Sequence, residues 1–226
     1  MKCTQCLDRL CAKKVPIFSV LPNNVLLELV NMSSHEDYKK GDIICSPNDK
    51  SSQLFIINEG SIKIYTYTNE GKEQILHILK EGDFFGELSL FRDEYYDFYA
   101  SPLGNVKLCI FTQDDIKILI GKYPEISFKI LEVFSERISK LQKLVETLAT
   151  NDAESRIINL LLDLSKEGGS PNKEGIEITL PISKEDMGNY TGVARETISR
   201  KLKKLEEEGV IKILSNKKIV LKNKKN

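Results

Sequence analysis

The chain has 226 residues, with 33 lysines and arginines against 33 aspartates and glutamates, so its formal net charge is zero. This length allows one large or two modest domains, and we favour two, each with its own core. This overall balance does not exclude a nucleic-acid partner, because the charges are unevenly distributed. Residues 183–226 carry 12 basic and 6 acidic side chains, net +6, and the rest of the chain carries 21 basic and 27 acidic side chains, net −6. There is no run of 18 apolar residues and no apolar core of a secretory signal, so we expect a cytoplasmic protein that does not cross a membrane.

Residues 1–17 form an N-terminal segment with three cysteines in the pattern C-x2-C-x4-C: Cys3, Cys6 and Cys11. Cytoplasmic thiols are reduced, so this clustering favours metal or redox chemistry over structural disulfides. Residues 18–122 contain short apolar strands separated by glycine-containing turns at intervals of about ten residues, which predicts a sandwich, barrel or jelly roll. Cys109 lies on the last of these strands, whereas Cys45 is expected to face the core as a small hydrophobe.

Residues 123–150 have the pattern of one long amphipathic helix, which starts near Pro124. The apolar side chains recur at intervals of three and four, as in a coiled-coil seam, which favours burial against a second copy of the chain. The alternative is that the stripe packs only against the preceding domain of its own chain. We assign dimerisation to five members of the stripe: Ile130, Phe134, Ile138, Leu141 and Val145.

Residues 151–226 have the pattern of a winged helix-turn-helix. Asn151–Asp152 is the candidate hinge, and a helix is predicted from Ala153 to about Lys166, followed by a polar loop at 170–175. Ser183 and Asp186 resemble a capping box that opens a short helix through about Tyr190. The second helix is predicted to end at Gly209, and two short strands, 210–214 and 219–221, would form the wing.

The second helix of this motif has one apolar and one polar face. Val193, Ile198, Leu202 and Leu205 would pack inward, so the polar side chains face outward. Arginine can donate to both guanine O6 and N7, glutamate can accept from cytosine N4, and serine can contact several bases. The predicted DNA-binding residues are therefore Arg195, Glu196, Thr197, Ser199 and Arg200, with Lys218 of the wing as a phosphate contact.

A glycine-punctuated β-roll, a long helix and a winged helix-turn-helix with the sequence Arg-Glu-Thr-Ile-Ser-Arg at 195–200 resemble the Crp/Fnr family of bacterial transcription regulators. Gly-Glu-Leu-Ser-Leu-Phe at 86–91 carries the resemblance in the first domain. It implies an α+β protein with a double-stranded β-helix of the cyclic-nucleotide-binding type, a dimerisation helix and a C-terminal DNA-binding domain. It also implies a homodimer that binds duplex DNA and RNA polymerase, and no enzymatic activity.

The resemblance also bears on the effector. Family members that bind cyclic AMP hold its phosphate with an arginine, but this chain has Tyr-Asp-Phe-Tyr-Ala at 96–100, and Asp97 would repel the phosphate, so no cyclic AMP is expected. Cys3, Cys6, Cys11 and Cys109 are similar to the four ligands of a 4Fe-4S cluster in the oxygen-sensing Fnr-like members. Four residues, rather than the five of Fnr, separate the second and third cysteines. The resemblance thus implies control by oxygen, nitric oxide or redox state.

Several alternatives remain open at this point. A thiol-disulfide switch between an N-terminal cysteine and Cys109 would use the same residues, and zinc, haem or another small molecule could be the effector instead. His77 lies in a predicted strand and is interpreted as structural rather than as a haem ligand. Glu196, Ser199 and Arg200 match Fnr residues that read TTGAT-type half-sites, so an inverted repeat with TGA cores is predicted. The rivals of another class are a ligand-binding module without DNA and, weakest, an enzyme.

Overall fold

The computed structural model describes residues 13, 15–50, 52–87, 95–150 and 152–222, with the backbone alone at 143, 144, 147–150 and 167. Two compact units are present. The described parts of Met1–Thr66 and Leu76–Lys140 form the first, and those of Tyr67–Ile75 and Leu141–Asn226 form the second. The predicted ligands Cys3, Cys6 and Cys11 lie outside the described residues.

A 3-10 turn at Pro16–Phe18 and a short helix precede the strands, and two further helices follow them. The elements in chain order are α1 (Asn23–Met32), β1 (Ser34–Tyr38), β2 (Gln53–Glu59), β3 (Ser61–Tyr67), β4 (Glu73–Lys80), β5 (Phe84–Phe85), β6 (Tyr99–Pro102), β7 (Val106–Thr112), α2 (Gln113–Lys122) and α3 (Glu125–Thr150). One sheet has the strand order β1-β7-β2-β5, and the other has the order β4-β3-β6. This is the β-roll expected from the sequence.

The strands β2 and β7 are apolar on both faces because both faces are covered. Phe55, Ile57, Leu108 and Ile110 face the core between the sheets. The alternate residues of the same strands face a second core, built with the 3-10 turn, α1, α2 and the first turns of α3; its members on β2 and β7 are Leu54, Ile56, Cys109 and Phe111. The period of two in strand side chains thus divides one apolar run between two cores.

The second unit holds the helix-turn-helix and its wing. Its elements are α4 (Ala153–Gly168), β8 (Ser170–Asn172), β9 (Gly175–Thr179), α5 (Lys184–Thr191), α6 (Arg195–Glu207), β10 (Ile211–Ser215) and β11 (Lys218–Lys222). The strands form one antiparallel sheet in the order β10-β11-β9-β8. The α+β fold class predicted from the sequence, with a β-roll, a long helix and a winged helix-turn-helix, is confirmed.

Two elements differ from the sequence-based expectation. The predicted polar loop at 170–175 contains β8, whose proline is tolerated because this strand lies at the edge of the sheet. The helix α2 was not expected, although a capping box between Thr112 and Asp115 opens it. Its sequence carries only a weak apolar stripe, and Ile116 and Leu119 are fixed by the core they join.

Candidate nucleic-acid interface

The helix-turn-helix is shaped by local features of its sequence. Ser183 Oγ accepts a hydrogen bond from the Asp186 N–H, and the Asp186 carboxylate accepts one from the Ser183 N–H, both at 3.1 Å, so a capping box starts α5. The helix ends at Gly192, whose φ of +66° lies in the left-handed region that favours glycine. These features set the turn that leads into α6.

The helix α6 separates its side chains as an amphipathic helix must. Ile198, Leu202 and Leu205 are buried on its inner face. Arg195, Glu196 and Arg200 are exposed on the opposite side, and Thr197 and Ser199 are half-buried beside them. Among the described residues, neither Arg195 nor Arg200 forms an ion pair. The predicted base-reading set is therefore brought together on one helix, with both guanidinium groups available to a partner.

The first turn of α4 holds the helix-turn-helix at two points. The Glu154 carboxylate accepts hydrogen bonds from Lys201 Nζ at 2.8 Å and from Lys204 Nζ at 3.0 Å, and these lysines lower the pKa of Glu154. Arg156 Nη1 donates to the Thr191 carbonyl oxygen at 2.9 Å, at the end of α5. These contacts could not be predicted from the sequence, because the partners are 35 to 50 residues apart along the chain.

The lysines of the wing also contact carboxylates. Lys218 Nζ donates to Glu177 at 2.8 Å, and Lys212 Nζ donates to Glu174 at 2.6 Å. Asn172 Nδ2 donates to the other oxygen of Glu177 at 3.1 Å and so fixes its orientation. Lys218, predicted as a phosphate contact, is thus exposed but already paired within its own unit.

Comparison with known proteins agrees with this geometry. Residues 35–123 match the family described as "Cyclic nucleotide-binding domain", and residues 155–226 match "Crp-like helix-turn-helix domain". The regulatory protein HlyX of Actinobacillus pleuropneumoniae is 30% identical over 77% of this chain and 72% of its own length. The chain belongs to the Crp/Fnr family of transcription regulators. Its members bind DNA and typically act as dimers, and they are not enzymes.

Two further relatives span most of the chain. The anaerobic regulatory protein of Haemophilus influenzae is 30% identical over 77% of this chain and 68% of its own length. A mutant of CooA from Carboxydothermus hydrogenoformans superposes with a TM-score of 0.78 at 19% identity and covers 92% of both chains. The superposition on CooA shows that the two chains share a fold.

The cysteine predicted as the fourth ligand lies in the second core of the first unit, between the strands β2 and β7 and the helices. On β7, Cys109 is 6% exposed, and it is in register with Ile56 of β2 on one side and with His35 of β1 on the other. Its core also contains Val15, near the end of the N-terminal cysteine segment, and Phe18, directly after it. No group of three or more histidine, cysteine, aspartate or glutamate side chains suited to a metal is found within the part of the chain that the structure describes.

Of two other candidate residues of the β-roll, Cys45 is buried and His77 is half-buried. Cys45 lies in the core between the sheets, as predicted, and burial raises the pKa of its thiol to about 12. Such a thiol is protonated at neutral pH and is a poor ligand or nucleophile. Partial burial lowers the pKa of His77, and the charges of Arg137 and Lys140 lower it further, so the neutral form is favoured.

Glu87, which the sequence places in the Gly-Glu-Leu turn of the first domain, contacts a side chain of the long helix. Glu87 pairs with Arg137 of α3, and the Arg137 guanidinium lies 4.6 Å from the centre of the Phe84 ring. Asp97, which was predicted to repel a cyclic phosphate, is exposed. Glu87 is therefore held by an internal ion pair.

The predicted dimerisation stripe divides between two environments. Ile130 is buried in the core that also contains Cys109, and Phe134 packs against this core. Ile138, Leu141 and Val145 are exposed on the remainder of α3, and so is Leu131. Leu131 continues the same intervals of three and four, which could have identified it from the sequence. None of the helices in the described ranges has the length and apolar content to cross a membrane.

Proposed function

We propose that this chain is a cytoplasmic, homodimeric transcription regulator that reads duplex DNA through α6 and responds to oxygen, nitric oxide or redox state through a 4Fe-4S cluster. The cluster would be bound by Cys3, Cys6, Cys11 and Cys109. Its DNA site would be an inverted repeat with a TGA core in each half, from which it would contact RNA polymerase. The anaerobic regulatory protein among the relatives supports a signal of this class.

The observation that carries the redox assignment is the composition of one core. Cys109, Val15 and Phe18 share this core with Ile126 and Ile130 of α3. The third N-terminal cysteine, Cys11, is only four residues before Val15 in the sequence. The packing of Cys109 beside residues that follow the N-terminal cysteines in the sequence supports a group bound by all four.

The chemistry of the ligand set also fits. Thiolates are the ligands of iron-sulfur clusters, and a 4Fe-4S cluster usually takes four of them. When bound, the cluster would supply sensitivity to oxidants. The residues of the chain would hold it and transmit its presence: Cys109 anchors it, and the side chains around Cys109 also fix the first turns of α3.

This shared core provides the coupling to DNA binding. A change at Cys109 alters the packing of Ile126 and Ile130, and therefore the geometry at which two copies of α3 meet. Only some dimer geometries place two recognition helices in successive major grooves. A bias of a few kcal/mol between them is sufficient to change DNA occupancy by orders of magnitude.

The DNA-reading part is tested by a mobility-shift titration with an inverted-repeat duplex and a random-sequence duplex. We expect Arg200→Ala to weaken binding to the inverted repeat by about 1 to 3 kcal/mol and to relax the preference at one base position. Lys218→Ala should weaken both duplexes alike, because a phosphate contact carries no sequence information. If Arg200→Ala binds the inverted repeat as tightly as the unsubstituted protein, α6 is not the element that reads the bases.

A disulfide between Cys109 and an N-terminal cysteine is the second candidate, favoured by the same core contacts. It predicts a colourless protein without iron, whose DNA binding responds to thiol reductants. A cluster predicts iron and acid-labile sulfide that are lost in Cys109→Ser. The two mechanisms are therefore separated by metal content, whichever way oxygen affects DNA binding.

A further inference from the structure

The DNA-binding unit is less basic in three dimensions than along the chain. Residues 183–226 carry net +6, but carboxylates from before residue 183 contact lysines of that segment. Three glutamates do so: Glu154, Glu174 and Glu177. Their partners are Lys201, Lys204, Lys212 and Lys218. Much of the apparent positive charge is thus neutralised within the unit.

These pairs have the geometry of charge-assisted hydrogen bonds. The distances from Nζ to the carboxylate oxygen are between 2.6 and 3.0 Å in all four. The lysine contact lowers the pKa of each glutamate, so all three remain ionised at neutral pH. Glu177 is fixed further by Asn172, and Glu154 is shared by two lysines.

Unlike these four lysines, the base-reading arginines of α6 contact no carboxylate among the described residues. Arg195 and Arg200 are exposed, and neither forms an ion pair with any described residue. Base contacts discriminate sequences, whereas lysine-phosphate contacts supply most of the affinity for DNA of any sequence. The carboxylates therefore pair with lysines, the residue type that supplies the sequence-independent part of binding, and leave the two base-reading arginines without an ion pair among the described residues.

We propose that Glu154, Glu174 and Glu177 limit the electrostatic part of DNA affinity by competing with phosphates for these four lysines. This rests on the proposed role of α6 in reading DNA. A phosphate must share or displace a carboxylate before it contacts one of the lysines. The consequence is weak binding to the large excess of non-cognate DNA, so that fewer dimers are held away from their sites.

The test uses the full chain with Glu174→Gln, Glu177→Gln and both together. Binding to the inverted-repeat and the random-sequence duplex is measured between about 50 and 200 mM salt. We expect the slope of log K against log salt to steepen by about 0.9 for each lysine released, and affinity at 0.1 M salt to rise by about eightfold per lysine. The gain should be equal on both duplexes, and Lys218→Ala should cancel it in the Glu177→Gln background.

The matched control is Glu59→Gln, which removes the same charge from a comparable cross-strand pair with Lys107, 2.7 Å apart in the β-roll. It should leave the slope unchanged. The proposal is overturned if the double variant matches this control in slope and affinity. Failure of the proposed function has a different signature, since the unsubstituted protein would then bind both duplexes equally. The pair of Glu174 with Lys212 is exposed, so Glu174→Gln alone can still be used to measure the salt slope even if Glu177→Gln unfolds.

Discussion

The exposed stripe on α3 makes a quantitative prediction for Ile138→Ala. Ile138 is 56% exposed in the single chain. Complete burial of an isoleucine side chain contributes about 1.5 to 3 kcal/mol, so covering the exposed half in a dimer contributes about 1 kcal/mol per copy and about 2 kcal/mol for the pair. This corresponds to a rise of about 30-fold in the dissociation constant of the dimer.

The assay is sedimentation equilibrium over a dilution series, with the mobility shift on an inverted repeat as the functional measurement. Ile118→Ala is the matched control, because Ile118 is 54% exposed but lies on α2 rather than on the stripe. It should leave the dissociation constant unchanged. If Ile138→Ala stays within about threefold of the unsubstituted dimer, or if both variants weaken it equally, the assignment of the stripe to dimerisation is refuted.

Three further predictions concern stability. Gly86→Ala should lower the free energy of unfolding of the β-roll by at least about 2 kcal/mol, because φ is +82° and a Cβ would lie 2.3 Å from the Gln53 carbonyl oxygen. Gly104→Ala, with open space around it, should have little effect in the same urea titration. Ser183→Ala should cost about 1 kcal/mol by removing the cap of α5, measured by chemical denaturation, and Ser183→Thr should retain most of it. The lowered pKa of Glu177 stabilises the fold above the ordinary glutamate pKa of about 4.3, and this contribution is lost as pH falls through the lowered value. The melting temperature should therefore fall less steeply between about pH 5 and pH 3 in Glu177→Gln than in the unsubstituted protein. Equal slopes would contradict the pairing of Glu177 with Lys218.

The DNA-reading helix could be predicted from the sequence because its determinants are local. The cap at Ser183, the left-handed turn at Gly192 and the buried side chains of Ile198 and Leu202 all act within one or two helical turns. Glycine-containing turns and alternating strands likewise indicated the β-roll. Such features follow from backbone conformation and side-chain period, and neither requires knowledge of distant partners.

The contacts that tune the site could not be predicted, because they depend on long-range packing. Glu154 and Glu177 are ordinary surface residues in the sequence, and only the placement of α4 and the register of β9 with β11 bring them to their lysines. The net charge of +6 counted over residues 183–226 therefore overstates how basic the surface of this unit is. The dimerisation stripe on α3 also depends on long-range packing. Periodicity predicts the same role for Ile130 and Ile138, but the fold shows that Ile130 is buried within its own chain whereas Ile138 is exposed.

The most direct test of redox control is the iron and acid-labile sulfide content of anaerobically purified protein, measured together with its DNA binding before and after exposure to air. The account predicts about four iron and four sulfide per chain, loss of both in Cys109→Ser, and a change in affinity for the inverted repeat when air destroys the cluster. Cys45→Ser should retain the iron, because that thiol is buried in the other core. Iron-free anaerobic protein whose DNA binding follows thiol reductants would contradict the cluster and establish the disulfide switch instead.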